Sequence, residues 1–199
     1  MLKGEMEKYS MLNELAKKDG IVIIGGTEDK DIPLCELKQA FELDSRLYNR
    51  SIENLSIDSA IEFYDDCIAG LNPESILLHI GAADLKNFVQ DSSSFDKKYH
   101  ELVQHIKKLD KKCNIAIISL RNPDDNSDIA NMNKHLKVIA QSEQCEFGDI
   151  ATKRVWNPKE TKDVVSFVYS IGFVHPLKIK RPMYDLIKIL FCSTPLVTE

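Results

Sequence analysis

The chain has no two cysteines in a C-x-x-C spacing and no run approaching the roughly 18 apolar residues of a spanning helix. Its cysteines are Cys35, Cys67, Cys113, Cys145 and Cys192, an odd and dispersed set. That excludes a disulfide framework and a zinc cluster as first readings. Small buried thiols in a reducing compartment are the expectation. The N-terminus "MLKGEMEKYSMLNELAKKDG" lacks the apolar core of a signal peptide, so a soluble, cytoplasmic protein with no membrane partner is expected. Basic residues are also in deficit, 26 Lys and Arg against 31 Asp and Glu, with a net charge of −5. A general grip on nucleic acid needs the opposite balance, so no nucleic-acid partner is expected. There is no G-x-G-x-x-G and no Walker lysine pattern. The acids Glu28 and Asp29 would also repel a phosphate, so a nucleotide-binding domain ranks last among the function classes. No repeat or low-complexity tract is visible, and neither a cofactor nor a metal is expected.

What is present is an ordinary globular balance, 43% apolar and 29% charged in 199 residues. That suits one domain, 1–199, with an N-terminal helical region at 1–19 and a tail at 193–199. Short apolar runs mark five strands: "IVIIG" (Ile21–Gly25), "RLYNRSI" (Arg46–Ile52), "SILLHIG" (Ser75–Gly81), "NIAIISL" (Asn114–Leu120) and "CEFGDI" (Cys145–Ile150). Helical spacing lies between them. Met6, Tyr9, Leu12, Leu15 and Ala16 form a stripe in 5–18, and a helix is expected over Ile32–Phe41. Ser56 is placed to cap a helix carrying Ile57, Ala60, Ile61, Tyr64 and Ile68. Further helices are expected around Phe95–Leu109, over Ile129–Ala140, and over 178–191. No clean period runs through 151–174, where Trp156, Phe167, Tyr169 and Phe173 either roof the sheet or line a cleft. Five strand–helix alternations predict an α/β/α three-layer sandwich around a five-stranded parallel sheet, flavodoxin-like in plan. Ligands of such sheets meet the loops beyond the strand C-termini.

Four of those loops share an order. "GGT" ends the first strand, "NRSI" the second and "GAAD" the third, and "VHP" precedes the last helix. Their order and spacing resemble the SGNH, or GDSL-like, hydrolase family over roughly residues 20–191. "NKHL" (Asn133–Leu136) and the strand ending at Asp149 match later parts of the same plan. The resemblance implies an SGNH-hydrolase-like fold and hydrolysis of an acetyl or short acyl ester, free or on a glycan. It implies Thr27 at the nucleophile position and His175 as the base. It implies a substrate pocket from Gly26, Glu28, Asn49, Ser51, Gly81, Ala83 and Asp84. Several family residues are replaced. Thr27 stands for Ser, Gly26 for Asp and Ser51 for Gly; Ala83 stands for the oxyanion Asn, and Gly172 for the Asp three residues before His175.

These replacements imply weakened or lost activity. Removing one oxyanion donor costs roughly 10²–10³ in rate. Uncoupling a triad histidine from its carboxylate costs about 10⁴. An internal threonine also lacks the N-terminal amine that usually activates such a nucleophile. Glu28, Asp29, Asp84 and Asp163 are the nearby acids that would replace the missing one. The alternative is a non-catalytic ligand-binding or interaction module on the same fold.

Individual residues carry a second reading. Thr27 reads as a helix cap ahead of "EDKD" as well as a nucleophile. His175 reads equally as a base or as a loop histidine beside Pro176. Asp84 reads as a holder of loop backbone N–H groups. Arg50 reads either as shaping a polar pocket with Asn49 beside the second strand or as a surface residue; His100, His105 and His135 read as surface residues, and His79 as a satisfied core histidine.

Overall fold

A computed structural model describes residues 2–40, 43, 45–122, 124–151, 187, 190 and 191. In chain order it contains α1 (Leu2–Leu15), β1 (Ile21–Gly25), α2 (Leu34–Ala40), β2 (Leu47–Asn49) and α3 (Ala60–Cys67). There follow β3 (Ser75–His79), α4 (Leu85–Gln90), α5 (Ser92–Leu109), β4 (Asn114–Ile118), α6 (Ser127–Ser142) and β5 (Glu146–Gly148). The strands form one parallel sheet in the order β2-β1-β3-β4-β5. The expected five-stranded α/β architecture is the observed one.

The apolar runs are covered on both faces, which is why they do not alternate with polar residues. Val22 and Ile24, Ile76 and Leu78, and Ile115 and Ile117 face one core with α3, α5 and α6. Ile23, Leu77, Ala116 and Ile118 face a second core with Leu37 of α2 and with Ile187, Leu190 and Phe191. Each strand therefore feeds two layers through the two-residue side-chain period. The chain reverses direction in strand order at β1 and β3, with β2 on one side and β4 on the other. A crevice opens at such a switch point beyond the strand ends.

Three details depart from the periodicity. In α1, the face turned inward carries Met6, Tyr9, Asn13 and Ala16, while Leu12 is 40% exposed and Leu15 85% exposed. The i, i+3, i+7, i+10 spacing holds, but Asn13 takes the central place because it donates to the Cys67 carbonyl at 2.7 Å and accepts from Arg50. Ser56 does not cap α3. A single turn of 3₁₀ helix, Ile57–Ser59, intervenes, and the Ser56 hydroxyl lies against that of Ser59 at 3.2 Å. The short helix α4 was not marked by any period. It exists because Phe88 anchors it, packed edge-on against Phe95 and His135. Asp91 then starts α5 by accepting the Ser94 N–H at 3.0 Å.

Among the described cysteines, Cys67 and Cys113 are buried and Cys145 partly so, all as free thiols, whereas Cys35 is exposed. Cys192, the aromatics of 151–174 and most of the expected helix 178–191 lie outside the described residues. Among the described residues no helix is long and apolar enough to cross a membrane.

Candidate functional site

A cleft of about 250 Å³ opens at the C-terminal ends of β1, β3 and β4. Four loops build it: the turn after β1, Asn54–Leu55 after β2, the turn after β3, and Leu120–Arg121 after β4. Leu55, Ile80, Leu85, Leu120 and Ile129 make its apolar walls.

Each loop is held by particular bonds. β1 ends at Gly25, where any Cβ would collide with the Asp29 carboxylate. The absent side chain lets the turn Thr27–Asp29 fold back, so that Asp29 Oδ2 accepts the Gly26 N–H at 3.2 Å. The turn after β3 pivots on Gly81, whose φ of +129° suits glycine and few other residues. Asp84 ends that turn. It is buried and accepts the Ile57 N–H at 3.0 Å, tying the β3 loop to the 3₁₀ turn that precedes α3. Burial pushes the Asp84 carboxyl up to about 6; the neighbouring Asp58 adds to this, against the Ile57 hydrogen bond and Lys98. After β4, Leu120 is clamped by Asn133 of α6. Its N–H donates to Asn133 Oδ1 at 2.7 Å, and its carbonyl accepts from Nδ2 at 2.8 Å.

The structure brings Gly26, Thr27, Glu28, Gly81 and Ala83 together as lining of this cleft. Asn49, Ser51 and Asp84 stand behind it instead. Asn49 donates to the Asp29 carbonyl at 2.7 Å and accepts the Ser51 N–H at 2.9 Å, so it braces the first turn against β2. Ser51 is fully buried, and its carbonyl accepts from the Tyr9 hydroxyl at 2.7 Å. His175, Gly172 and Asp163 lie outside the described residues. The Thr27 hydroxyl is exposed and accepts the Asn54 N–H at 3.3 Å. It caps nothing, because the acceptor that closes the first turn is the Asp29 carboxylate, so the capping reading of Thr27 is corrected.

Two further cleft residues went unmarked in the sequence. His79, the last residue of β3, lies in register with Gly25 and shares a 2.7 Å hydrogen bond between its Nδ1 and Asp29 Oδ2. Both side chains are almost fully buried, at 4% and 1% exposure. His79 Nε2 and Asp29 Oδ1 have no partner among the described residues. The expectation of a satisfied core histidine is therefore half met: the ring is buried, but only one nitrogen is bonded. Arg121 is the second addition. Its side chain is 8% exposed, with Nη2 donating to the Phe191 carbonyl at 2.7 Å and Nη1 3.5 Å from Glu28 Oε2. Its Nε has no partner among the described residues. A polar residue closing a buried strand at the switch point, as His79 does, was the one available signal. Arg121 was marked only by its place, at the start of the loop beyond the fourth strand.

Arg50 is likewise no surface residue. It is buried, donates to Asn13 Oδ1 at 2.8 and 3.2 Å, and lies over the rings of Tyr9 and Tyr48. Burial pulls its pKa below the ordinary arginine value, against the opposing influence of Tyr9. Its loop position hid this role, since both aromatic partners come from other elements.

No family model matches the sequence, and no curated protein matches it in sequence. Solved structures do match in fold. A Streptococcus pneumonia protein provisionally named a platelet activating factor superposes with a TM-score of 0.66 at 20% identity, covering 79% of this chain and 78% of that one. A GDSL-like lipase from Bacteroides thetaiotaomicron gives 0.59 at 13% identity, with 78% and 82% covered. An acetyl xylan esterase gives 0.58 at 15% identity, with 86% and 94% covered. The chain thus has the fold of SGNH/GDSL-like hydrolases.

Proposed function

We propose that the protein takes a small acetyl or acyl ester, free or carried on a glycan, into the switch-point cleft and hydrolyses it slowly. The observation that carries this reading is the position of the cleft. It places the exposed Thr27 hydroxyl, the β3 turn and the β4 loop around one small, mostly apolar space at the strand ends. The volume suits a short acyl group rather than a long lipid chain. Thr27 is the proposed nucleophile and His175 the proposed base, as the resemblance implies.

The reaction is slow because charge stabilisation is thin. Ala83, at the position of an oxyanion side-chain donor, offers only a methyl group. The N–H of Ser51, at the position of the glycine after the second strand, is already donated to Asn49. That bond also favours the second reading, a module that binds the same ligand without turning it over.

Hydrolysis of acetyl, propionyl and butyryl aryl esters tests both. Turnover is expected that disappears in Thr27→Ala and in His175→Ala. Ala83 is exposed, so Ala83→Asn folds and raises kcat by about tenfold or more if one side-chain donor is worth roughly 10²–10³. Background rates with all three esters in the wild type and in Ala83→Asn sink the esterase reading and leave the binding module.

A further inference from the structure

The turn after β3 has no side-chain donor at Ala83, but the loop after β2 carries one. Among the described residues that line the cleft, Asn54 alone bears a carboxamide. Its backbone is left-handed, with a φ of 53°. Asparagine tolerates that conformation better than most residues with a side chain. The loop is pinned on both sides of it. Ile52 and Leu55 are buried, and the Ile52 N–H donates to the Gly25 carbonyl at 3.1 Å. The Asn54 N–H in turn donates to Thr27 Oγ1 at 3.3 Å. With that nitrogen so close, the short side chain keeps its carboxamide within about 8 Å of Oγ1 in every rotamer. Asn54 is exposed, and its carboxamide makes no hydrogen bond among the described residues. The neighbouring amides are committed elsewhere: Asn49 donates to the Asp29 carbonyl, and Asn133 clamps Leu120.

We propose that the Asn54 carboxamide supplies the oxyanion donor that Ala83 cannot. This rests on the proposed function, through Thr27 as the nucleophile of the cleft. In that reaction Thr27 Oγ1 bonds the ester carbonyl carbon, and its proton passes to His175. The carbonyl π pair moves onto the carbonyl oxygen, where Asn54 Nδ2–H donates to the charge that forms. Return of that pair breaks the bond to the alcohol oxygen, which leaves with the proton from His175. The acyl group stays on Thr27 until water removes it by the same two steps. The hydrogen bond strengthens as charge develops, so it acts on kcat rather than on KM.

Kinetics with the acetyl, propionyl and butyryl aryl esters test this. Asn54→Gly keeps the left-handed backbone and its N–H but removes the carboxamide. Asn54→Asp keeps the shape and removes the donors. Each is expected to lower kcat about tenfold or more, with KM within about twofold of wild type. Ala83→Asn is expected to raise kcat by a larger factor in the Asn54→Gly background than in wild type, because either amide then serves one oxyanion. A folding defect would not be rescued in that way. A kcat unmoved by Asn54→Gly, or equal gains from Ala83→Asn in the two backgrounds, overturns the proposal and leaves the esterase reading standing. Calorimetry with butaneboronic acid needs no turnover. Its boron takes the Thr27 oxygen as a fourth ligand, and the anionic boronate stands in for the oxyanion. Asn54→Gly is expected to weaken that binding about tenfold or more. Such weakening in a protein that turns over no ester sinks the esterase reading alone. Boronate affinity indifferent to Asn54→Gly overturns the proposal, and absence of both boronate binding and turnover overturns both.

Discussion

Gly25 and Asp29 are a coupled pair. The missing Cβ at 25 is the space that the Asp29 carboxylate fills, and the carboxylate in turn holds the Gly26 N–H and the His79 ring. Gly25→Ala forces the two apart and is expected to cost about 1–3 kcal/mol, the usual penalty of overpacking. Asp29→Ala leaves the buried His79 Nδ1 unpaired, at a cost of about 1–3 kcal/mol. In the double variant the carboxylate contact is gone but the Cβ of residue 29 stays 2.7 Å from the added methyl, so Gly25→Ala should cost less, though not nothing, in the Asp29→Ala background. Urea unfolding of the four proteins in a double-mutant cycle reads this directly, with a coupling of about 1 kcal/mol or more expected. Additive losses would mean that the carboxylate does not occupy the space beside Gly25.

Among the elements, α5 is the strut that joins its neighbours, and histidine–carboxylate pairs do much of the joining. His105 bonds Asp65 at the end of α3, His135 of α6 bonds Asp96 of α5, and His100 bonds Glu143 just beyond α6. The sequence reading of His100, His105 and His135 as surface residues is corrected, since all three side chains are about two-thirds or more covered. Glu143 is the busiest partner, also accepting from Gln104 at 2.9 Å, while its carbonyl accepts from Lys107. Burial alone would raise its carboxyl. Hydrogen bonds from Gln104 and His100, with the charges of His100 and Lys107, outweigh burial and hold it below the ordinary 4.5. A carboxyl depressed in the folded state stabilises above its unfolded pKa, and that contribution fades as pH falls through the folded one. Glu143→Gln is therefore expected to cost about 1 kcal/mol at pH 7, with the gap from wild type closing below pH 4.5. Urea unfolding at several pH values measures it. A gap that stays constant with pH would assign the loss to packing rather than to charge.

At the scale of the whole molecule, stability concentrates where strands are covered on both faces. Val22, Ile23, Leu77, Ile117 and neighbouring residues of β1, β3 and β4 are fully enclosed, whereas β2 and β5 are three-residue edge strands with partly exposed side chains. Native-state hydrogen exchange should be slowest in β1, β3 and β4 and fastest in α1, whose outer face exposes Leu12 and Leu15. Protection of α1 equal to that of β3 would show instead that the Arg50–Asn13–Tyr9 contacts bind it into the core as one cooperative unit. The cleft lies over the ends of these enclosed strands, and its walls come partly from loops, through Leu55, Ile80 and Leu120, and partly from helices, through Leu85 and Ile129.

Strand and helix periods depend on near neighbours, so the alternation of apolar runs and amphipathic stretches was enough to specify the parallel three-layer sheet. Because such a sheet carries its loops at one edge, the order of "GGT", "NRSI" and "GAAD" was enough to point to that edge. The division of labour at the site was another matter. Asn49, Ser51 and Asp84 belong to the same motifs as Thr27 and Ala83, yet they brace the cleft from behind. His79, Asp29 and Arg121, separated by tens of residues, converge on its floor. Which side chains meet at such distances is decided by register and packing across strands, and contacts of that kind leave no period in the chain for a sequence to display.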